Sequence, residues 1–146
     1  GGALAGVSIG LKNKNKNIKI ALSDPMGSSL YSYIKNNKLE SKGNSITEGI
    51  GTGRITKNFE KAIIDDAFQT DDDEALRIVY SLIEKQNIIL GGSSGINIAG
   101  AIKLAKKLGK GKTIVTILCD DGRRYASKIF NKEFLKSKNL PIPKWL

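Results

Sequence analysis

Three glycine-rich turns hold the residues whose types and spacing are best suited to chemistry. They cover residues 1–6, 48–53 and 91–97. Backbone N–H groups in such turns can bind an anion such as phosphate, above all where a helix begins. Any one of these turns is more often structural, because glycine before a helix also permits tight packing. The presence of all three in one chain favours a phosphate-binding site.

The third turn also carries two hydroxyl groups, Ser93 and Ser94, just before a predicted helix. Serine at such a position commonly caps the helix by accepting a hydrogen bond from one of its first amides. N-capping is therefore the structural alternative to ligand binding for both residues.

Other kinds of catalytic centre are poorly represented. The chain has no histidine, which removes His-dependent triads and the commonest general base. The acidic run 71–74 begins a predicted helix, where carboxylates more often offset the helix dipole than bind a metal. Cys119 is expected to be a small buried residue rather than a nucleophile, and Asp120 and Asp121 beside it are ambiguous. We identify no metal-ligand spacing.

The formal net charge of +10 does not indicate a nucleic-acid partner. The lysines are scattered and often alternate with asparagine, as in residues 12–17, and no aromatic residues are interleaved for base stacking. No apolar run is long enough to span a membrane, and no signal peptide is recognisable. A single cysteine suits a reducing compartment, so a cytoplasmic location is expected.

Strand-like and helix-like runs alternate along the chain. This order predicts one α/β domain over residues 1–146, with a mostly parallel sheet and helices on both faces. The predicted strands are 18–22, 45–48, 63–68, 88–90 and a buried strand at 113–118; the predicted helices are 1–12, 30–37, 71–86, 96–108 and 131–137. The three turns lie at or near strand–helix junctions, the edge of a parallel sheet where ligands bind.

Four stretches resemble the cysteine synthase and cystathionine β-synthase family. Residues 1–3, Gly-Gly-Ala, are similar to the end of its Gly-Thr-Gly-Gly-Thr phosphate loop. Residues 48–51, Glu-Gly-Ile-Gly, resemble its Glu/Gln-Gly-Ile-Gly loop, and residues 91–95, Gly-Gly-Ser-Ser-Gly, its Gly-Gly/Ile-Ser-Ser/Ala-Gly turn. Residues 122–125, Gly-Arg-Arg-Tyr, resemble the Gly-Glu-Arg-Tyr stretch of cysteine synthases.

The resemblance implies a large part of the C-terminal domain of a type II pyridoxal 5'-phosphate enzyme, with the N-terminal part absent. It implies that backbone amides at Gly1, Gly2 and Ala3 hold the cofactor phosphate. Gly49 would lie beside the ring, and Ser93 would hydrogen-bond the pyridine nitrogen. Ala3 departs from the family's threonine, and the hydroxyl it lacks corresponds to a hydrogen bond worth roughly 1.5–3 kcal/mol.

The implied reaction is β-replacement, in which O-acetylserine and sulfide give cysteine and acetate and the cofactor carries the chemistry. A neutral serine hydroxyl on the pyridine nitrogen suits loss of a β-substituent, because it does not enforce a protonated ring. In the family, the lysine that binds the cofactor and the Ser/Thr-Gly-Asn substrate loop lie upstream of the matching region. We therefore assign no catalytic residue, and we expect the chain to be inactive alone and to expose apolar surface.

Two alternatives remain open. Cystathionine β-synthase, which joins serine and homocysteine, shares the Glu-Gly-Ile-Gly stretch, although we expect no appended regulatory domain. A non-catalytic phosphate- or nucleotide-binding module is disfavoured, because no acidic ribose partner follows the first turn at the usual spacing. The partners implied by the resemblance are a small amino-acid substrate, sulfide, a second subunit in a homodimer, and serine acetyltransferase.

Overall fold

Two parallel strands, β1 (Ala21–Pro25) and β2 (Asp66–Thr70), form the sheet of a computed structural model that describes residues 1–146. Their register runs from Ala21 opposite Asp66 to Pro25 opposite Thr70. The helices are α1 (Gly2–Lys14), α2 (Leu30–Asn36), α3 (Asp72–Gln86), α4 (Gly92–Leu108) and α5 (Lys132–Ser137), with a short 3-10 helix at Gly122–Tyr125. None of the helices has the length and apolar character that a membrane span requires.

Helices cover both faces of the sheet. On one face Leu22 and Ala67 are buried with Leu30 of α2, and α1 packs at the border of the same cluster. On the other face the Ser23 hydroxyl donates to the carbonyl oxygen of Ile96 in α4, at 2.6 Å. Successive side chains of a strand point to opposite faces, so this alternation explains the two layers. The predicted α/β class is therefore confirmed.

A second apolar cluster joins α3 to the C-terminal residues. Leu76, Val79 and Tyr80 of α3 are buried against Ile129 and Leu135. The Tyr80 hydroxyl donates to the carbonyl oxygen of Ile129 at 2.7 Å. The helical spacing of this stripe predicted α3 correctly, because residues three and four apart share one helix face.

Several elements differ from those predicted. The strand β1 begins at Ala21 rather than at residue 18, and β2 begins at Asp66 rather than at residue 63. The helix α4 begins at Gly92 rather than at residue 96, because its first turn is glycine and serine and gives no apolar signal. Residues 45–48 form no strand: the Ile46 N–H donates to the Asp72 carboxylate at 2.8 Å instead of to a neighbouring strand. Residues 88–90 contribute one antiparallel bridge, between Leu90 and Asp121.

The predicted buried strand at 113–118 is wrong. No backbone group of this segment bonds to another backbone group, and Val115 is 88% exposed. A strand needs a neighbour with free N–H and C=O groups, and neither β1 nor β2 pairs with this segment. Cys119, expected to be buried, is exposed at its end. The expectation of exposed apolar surface is confirmed.

Candidate functional site

The third glycine turn forms the start of α4. Gly91 is the N-cap and no side chain caps the helix, so the N-capping alternative for Ser93 and Ser94 is wrong. Both serines lie in the first helical turn. The Ser94 hydroxyl accepts a hydrogen bond from the Cys119 N–H at 2.8 Å. The Ser93 hydroxyl has no hydrogen-bond partner in the protein but is not sealed from solvent, so it is free to bind a ligand.

Close packing around this turn connects it to the segment that leads into the second one. A side chain at Gly92 would place its Cβ 3.0 Å from Thr47 Oγ1. A side chain at Gly91 would place its Cβ 2.6 Å from the ring of Tyr125, whose hydroxyl donates to Asp120 at 2.7 Å. The hydrogen bond to Asp120 is the main cause of a raised pKa at Tyr125. Burial and the negative charge of Asp120 raise this pKa further. These contacts fix the start of α4 between the segment that contains Thr47 and the short 3-10 helix that contains Tyr125.

The second glycine turn is held against the end of β1. Ser28 Oγ accepts from the Thr52 N–H at 2.9 Å and lies 3.1 Å from the Thr52 carbonyl oxygen, to which it donates. Gly51 has φ of +82°, and its Cβ position is 2.7 Å from Pro25 Cγ. Gly49 also has a positive φ, +75°, but no atom lies within 4 Å of its Cβ position. Gly49 therefore presents bare backbone to open space.

A polar cleft of about 320 Å³ lies between the turn that follows β1 and the second glycine turn. It is lined by the turn after β1 and by the second glycine turn, including Gly27, Ser28, Thr47, Gly51 and Thr52. Gly1, Gly2, Ala3, Gly49 and Ser93 do not line it. Of the predicted site residues, Gly49 directly precedes the lining residue Ile50, and Ser93 follows Gly92, whose Cβ position contacts the lining residue Thr47.

The first glycine turn is the start of α1. Gly1 is the N-cap without a side-chain cap, and the first helical hydrogen bond runs from the Ala5 N–H to the Gly1 carbonyl at 3.0 Å. The amides of Gly2, Ala3 and Leu4 consequently remain free. The nearest atoms to the Cβ position of Gly1 belong to Phe59, at 2.9 Å. No backbone hydrogen bond joins residues 1–6 to the other two turns.

Asp24, at the end of β1, was not identified as a site residue from the sequence. It is 1% exposed; Oδ2 accepts from the Tyr31 N–H at 2.8 Å, and Oδ1 has no partner. Burial raises the pKa of this carboxyl, opposed by the Tyr31 N–H and the Ser28 hydroxyl. The only sequence signal was an Asp-Pro turn after a strand.

The donor set fits a phosphorylated aromatic ligand better than a metal. The helices α1 and α4 both begin without a side-chain cap, so their free amides and dipoles favour an anion. The unpaired Ser93 hydroxyl can hydrogen-bond a ring nitrogen. Lys128, which contacts the second turn, is held in an ion pair with Glu48. Lys128 therefore presents no free amino group at the second glycine turn.

Comparisons with known proteins agree with this donor set. A family model described as pyridoxal-phosphate dependent enzyme matches residues 1–120. The chain is 41% identical to the cysteine synthase of Dictyostelium discoideum over 152 residues, covering 97% of this chain and 40% of the relative. The chain thus spans about two fifths of the length of the curated relatives it matches.

Two solved structures share the fold. The O-acetyl serine sulfhydrylase isoform 3 from Entamoeba histolytica matches with a TM-score of 0.76 and 30% identity, over 97% of this chain and 38% of that one. The O-acetylserine dependent cystathionine beta-synthase from Helicobacter pylori matches with a TM-score of 0.73 and 32% identity, over 86% and 39% respectively.

Proposed function

Because this chain belongs to the family of pyridoxal-phosphate-dependent enzymes, we propose that it serves cysteine synthesis as part of a cysteine synthase. The whole protein would convert O-acetylserine and sulfide into cysteine and acetate. The relatives named cysteine synthase support this activity. The structural observation that carries the proposal is the unpaired Ser93 hydroxyl in the uncapped first turn of α4.

The phosphate would be bound by backbone alone. The free amides of Gly2 and Ala3, at the turn begun by Gly1, point along the axis of α1, where the helix dipole favours negative charge. Ala3 offers no hydroxyl to add to these bonds. The Gly49 backbone would lie beside the ring, because the open space at its Cβ position leaves room for a flat ligand.

Ser93 would hold the pyridine nitrogen. When bound, pyridoxal phosphate supplies the electron withdrawal that allows a β-substituent to leave. The Ser93 hydroxyl is neutral, so it would donate a hydrogen bond to the nitrogen without transferring a proton to it. Ser94, whose hydroxyl binds the Cys119 N–H, holds the turn in place instead. No residue of this chain is assigned a proton-transfer role, and we expect the 146 residues alone to show no turnover.

A chimera tests this activity directly. This chain would replace the matching 152-residue region of the Dictyostelium cysteine synthase. We expect the folded chimera to form cysteine from O-acetylserine and sulfide. Formation of cystathionine from serine and homocysteine, without cysteine, would contradict the proposal and favour a cystathionine β-synthase.

Substitutions in the chimera test the role of Ser93. Ser93→Ala removes one hydrogen bond to the ring and is expected to lower kcat/KM about 10-fold, the equivalent of roughly 1.4 kcal/mol. Ser41→Ala, in the exposed polar loop, is the matched control and should leave kcat/KM unchanged. Equal activity of the two variants would show that Ser93 does not bind the ring.

The cytoplasmic location, the homodimer and the association with serine acetyltransferase belong to the same proposal. A free, exposed thiol at Cys119 is compatible with a reducing compartment. Sedimentation of the chimera, alone and with serine acetyltransferase, tests the two assemblies. A strictly monomeric chimera that does not bind the acetyltransferase would contradict both.

A further inference from the structure

Asp24 is a buried carboxyl group of which only one oxygen is bound. It lies on the same face of β1 as Leu22, because alternate residues of a strand share a face, and it is 1% exposed. Its Oδ2 accepts from the Tyr31 N–H at 2.8 Å, whereas Oδ1 has no partner. A buried polar oxygen without a partner costs folding free energy. A carboxyl group at this position therefore indicates a role in placing its hydrogen-bond partner, which is the start of α2.

The helix α2 is capped from outside the helix. Its N-cap residue, Ser29, makes no side-chain hydrogen bond to it. The Tyr31 N–H is instead bound by Asp24, and the Leu30 N–H donates to Ser28 Oγ at 3.4 Å. With seven residues, α2 is shorter than a helix that is stable by itself. These two bonds therefore fix where α2 starts relative to β1.

Asp24 and Ser28 are also neighbours. Burial raises the pKa of the Asp24 carboxyl, and the hydrogen bond from the Tyr31 N–H and the nearby Ser28 hydroxyl both oppose this rise. The carboxyl group thus borders both the first turn of α2 and the side chain of Ser28.

The start of α2 in turn holds the second glycine turn. Ser28 Oγ binds both backbone groups of Thr52, and the Ser29 N–H donates to the Thr52 carbonyl at 2.9 Å. The Cβ position of Gly51 lies 2.9 Å from Ser28 Cβ, so this glycine rests directly on the same residue. Glycine gives a backbone little stiffness of its own, and Gly49 has no packing at its Cβ position. The place of Gly49 therefore depends on the anchor at Thr52.

We propose that Asp24 is a positioning residue for the second glycine turn. Through the start of α2 it holds Ser28 against Thr52, and so it sets where the Gly49 backbone lies beside a bound aromatic ring. The ligand, a phosphorylated pyridine, rests on the proposed function. The placement of the turn by Asp24 rests on the contacts of this chain alone.

Hydrogen exchange of the free 146-residue chain tests the placement. Asp24→Ala removes the acceptor of the Tyr31 N–H, and we expect the Tyr31 and Thr52 amides to exchange at least about 10-fold faster. Asp24→Asn keeps an acceptor oxygen and should restore slow exchange of both amides. Should Asp24→Ala not fold, Asp24→Val, which fills the space without an acceptor, takes its place.

A matched control separates placement from global stability. Ile129→Val shortens a buried side chain, 4% exposed, in the cluster between α3 and the C-terminal residues. This variant lowers the stability of the whole fold but does not touch α2. Its Tyr31 and Thr52 amides should exchange as in the unsubstituted chain under conditions where both proteins are folded.

Ligand affinity tests the consequence for the site. The probe is pyridoxal 5'-phosphate, and its dissociation constant for the chimera is measured by equilibrium dialysis. Asp24→Ala should raise this constant about 10-fold, because the turn beside the ring is no longer held in place. Asp24→Asn and Ile129→Val should leave it unchanged.

Three outcomes would overturn the proposal. In the first, the Tyr31 and Thr52 amides of the variant without an acceptor exchange no faster than those of Ile129→Val. In the second, Asp24→Asn exchanges as fast as that variant, so that the hydrogen bond to Tyr31 is not the cause. In the third, exchange quickens while the affinity for pyridoxal 5'-phosphate stays the same. A chimera that binds the ligand but forms no cysteine would instead refute the proposed activity alone.

Discussion

The Ser28 hydroxyl is bound to both backbone groups of Thr52, 24 residues along the chain. It accepts from the N–H at 2.9 Å and donates to the carbonyl at 3.1 Å. Ser28→Ala is expected to lower the free energy of unfolding by about 1–2 kcal/mol, because the Thr52 N–H loses its partner. Urea denaturation measures this, with exposed Ser41→Ala as control. Equal stability of the two variants would contradict it.

Gly51 is expected to resist substitution. Its φ of +82° and the contact of its Cβ position with Pro25, at 2.7 Å, both oppose a side chain. Gly51→Ala should destabilise the protein by about 1–3 kcal/mol. The control is Gly53→Ala, where nothing lies within 4 Å and φ is not positive. Thermal unfolding compares the two, and a Gly53 variant as unstable as the Gly51 variant would refute the assignment.

Gly95 allows α4 to approach α3. Its Cβ position is 2.4 Å from the carbonyl oxygen of Ala75, which is backbone and has little freedom to move. Gly95→Ala should therefore cost about 2 kcal/mol or more. Gly10→Ala, on an open part of α1, should instead stabilise the fold by about 0.5–1 kcal/mol. Chemical denaturation of both variants distinguishes packing from helix propensity.

Asp66 makes stability depend on pH in the acid range. Burial alone would raise the pKa of this carboxyl, but hydrogen bonds from Lys107, Lys35 and the Ala67 N–H bring it to about 2. Its pKa in the unfolded chain is about 3.9. The stabilisation is therefore complete above about pH 4 and is lost as the pH falls toward 2. It amounts to about 1–2 kcal/mol, because solvent screens the lysines.

Denaturation midpoints between pH 2 and pH 6 measure the contribution of Asp66. Asp66→Asn should flatten the profile below pH 4. Glu60→Gln, at an exposed carboxylate without an ion pair, is the control and should leave the profile unchanged. If the denaturation midpoint of Asp66→Asn falls below pH 4 as steeply as that of the unsubstituted chain, Asp66 does not have this role.

The predictions that succeeded rest on local signals. Asp71 caps α3 by accepting from the Glu74 N–H, three residues on, and Leu76, Val79 and Tyr80 recur on one face. Both capping and helical periodicity depend on residues that are only a few positions apart, so the sequence alone reveals them. The α/β class also followed from the alternation of such local patterns.

The predictions that failed depend on distant partners. The β propensity of residues 113–118 was read correctly, but burial and pairing require a neighbour that the local sequence does not specify. In the same way, Asp72 holds Ile46, 26 residues away, in place of a strand bond. Motif resemblance predicts site roles for Gly49 and Ser93, which stay predictions, and it gives no signal for Thr47, whose contact with Gly92 becomes visible only in three dimensions.

The uncharged run of residues 113–118 also has a consequence for the chain on its own. A six-residue segment of high β propensity, without charge or proline, can stack into fibrils with identical copies. Lys110 and Lys112 precede the run and Asp120 and Asp121 follow it, and such charges act as gatekeepers against stacking. These four charges are therefore the nearest protection of this exposed run against aggregation.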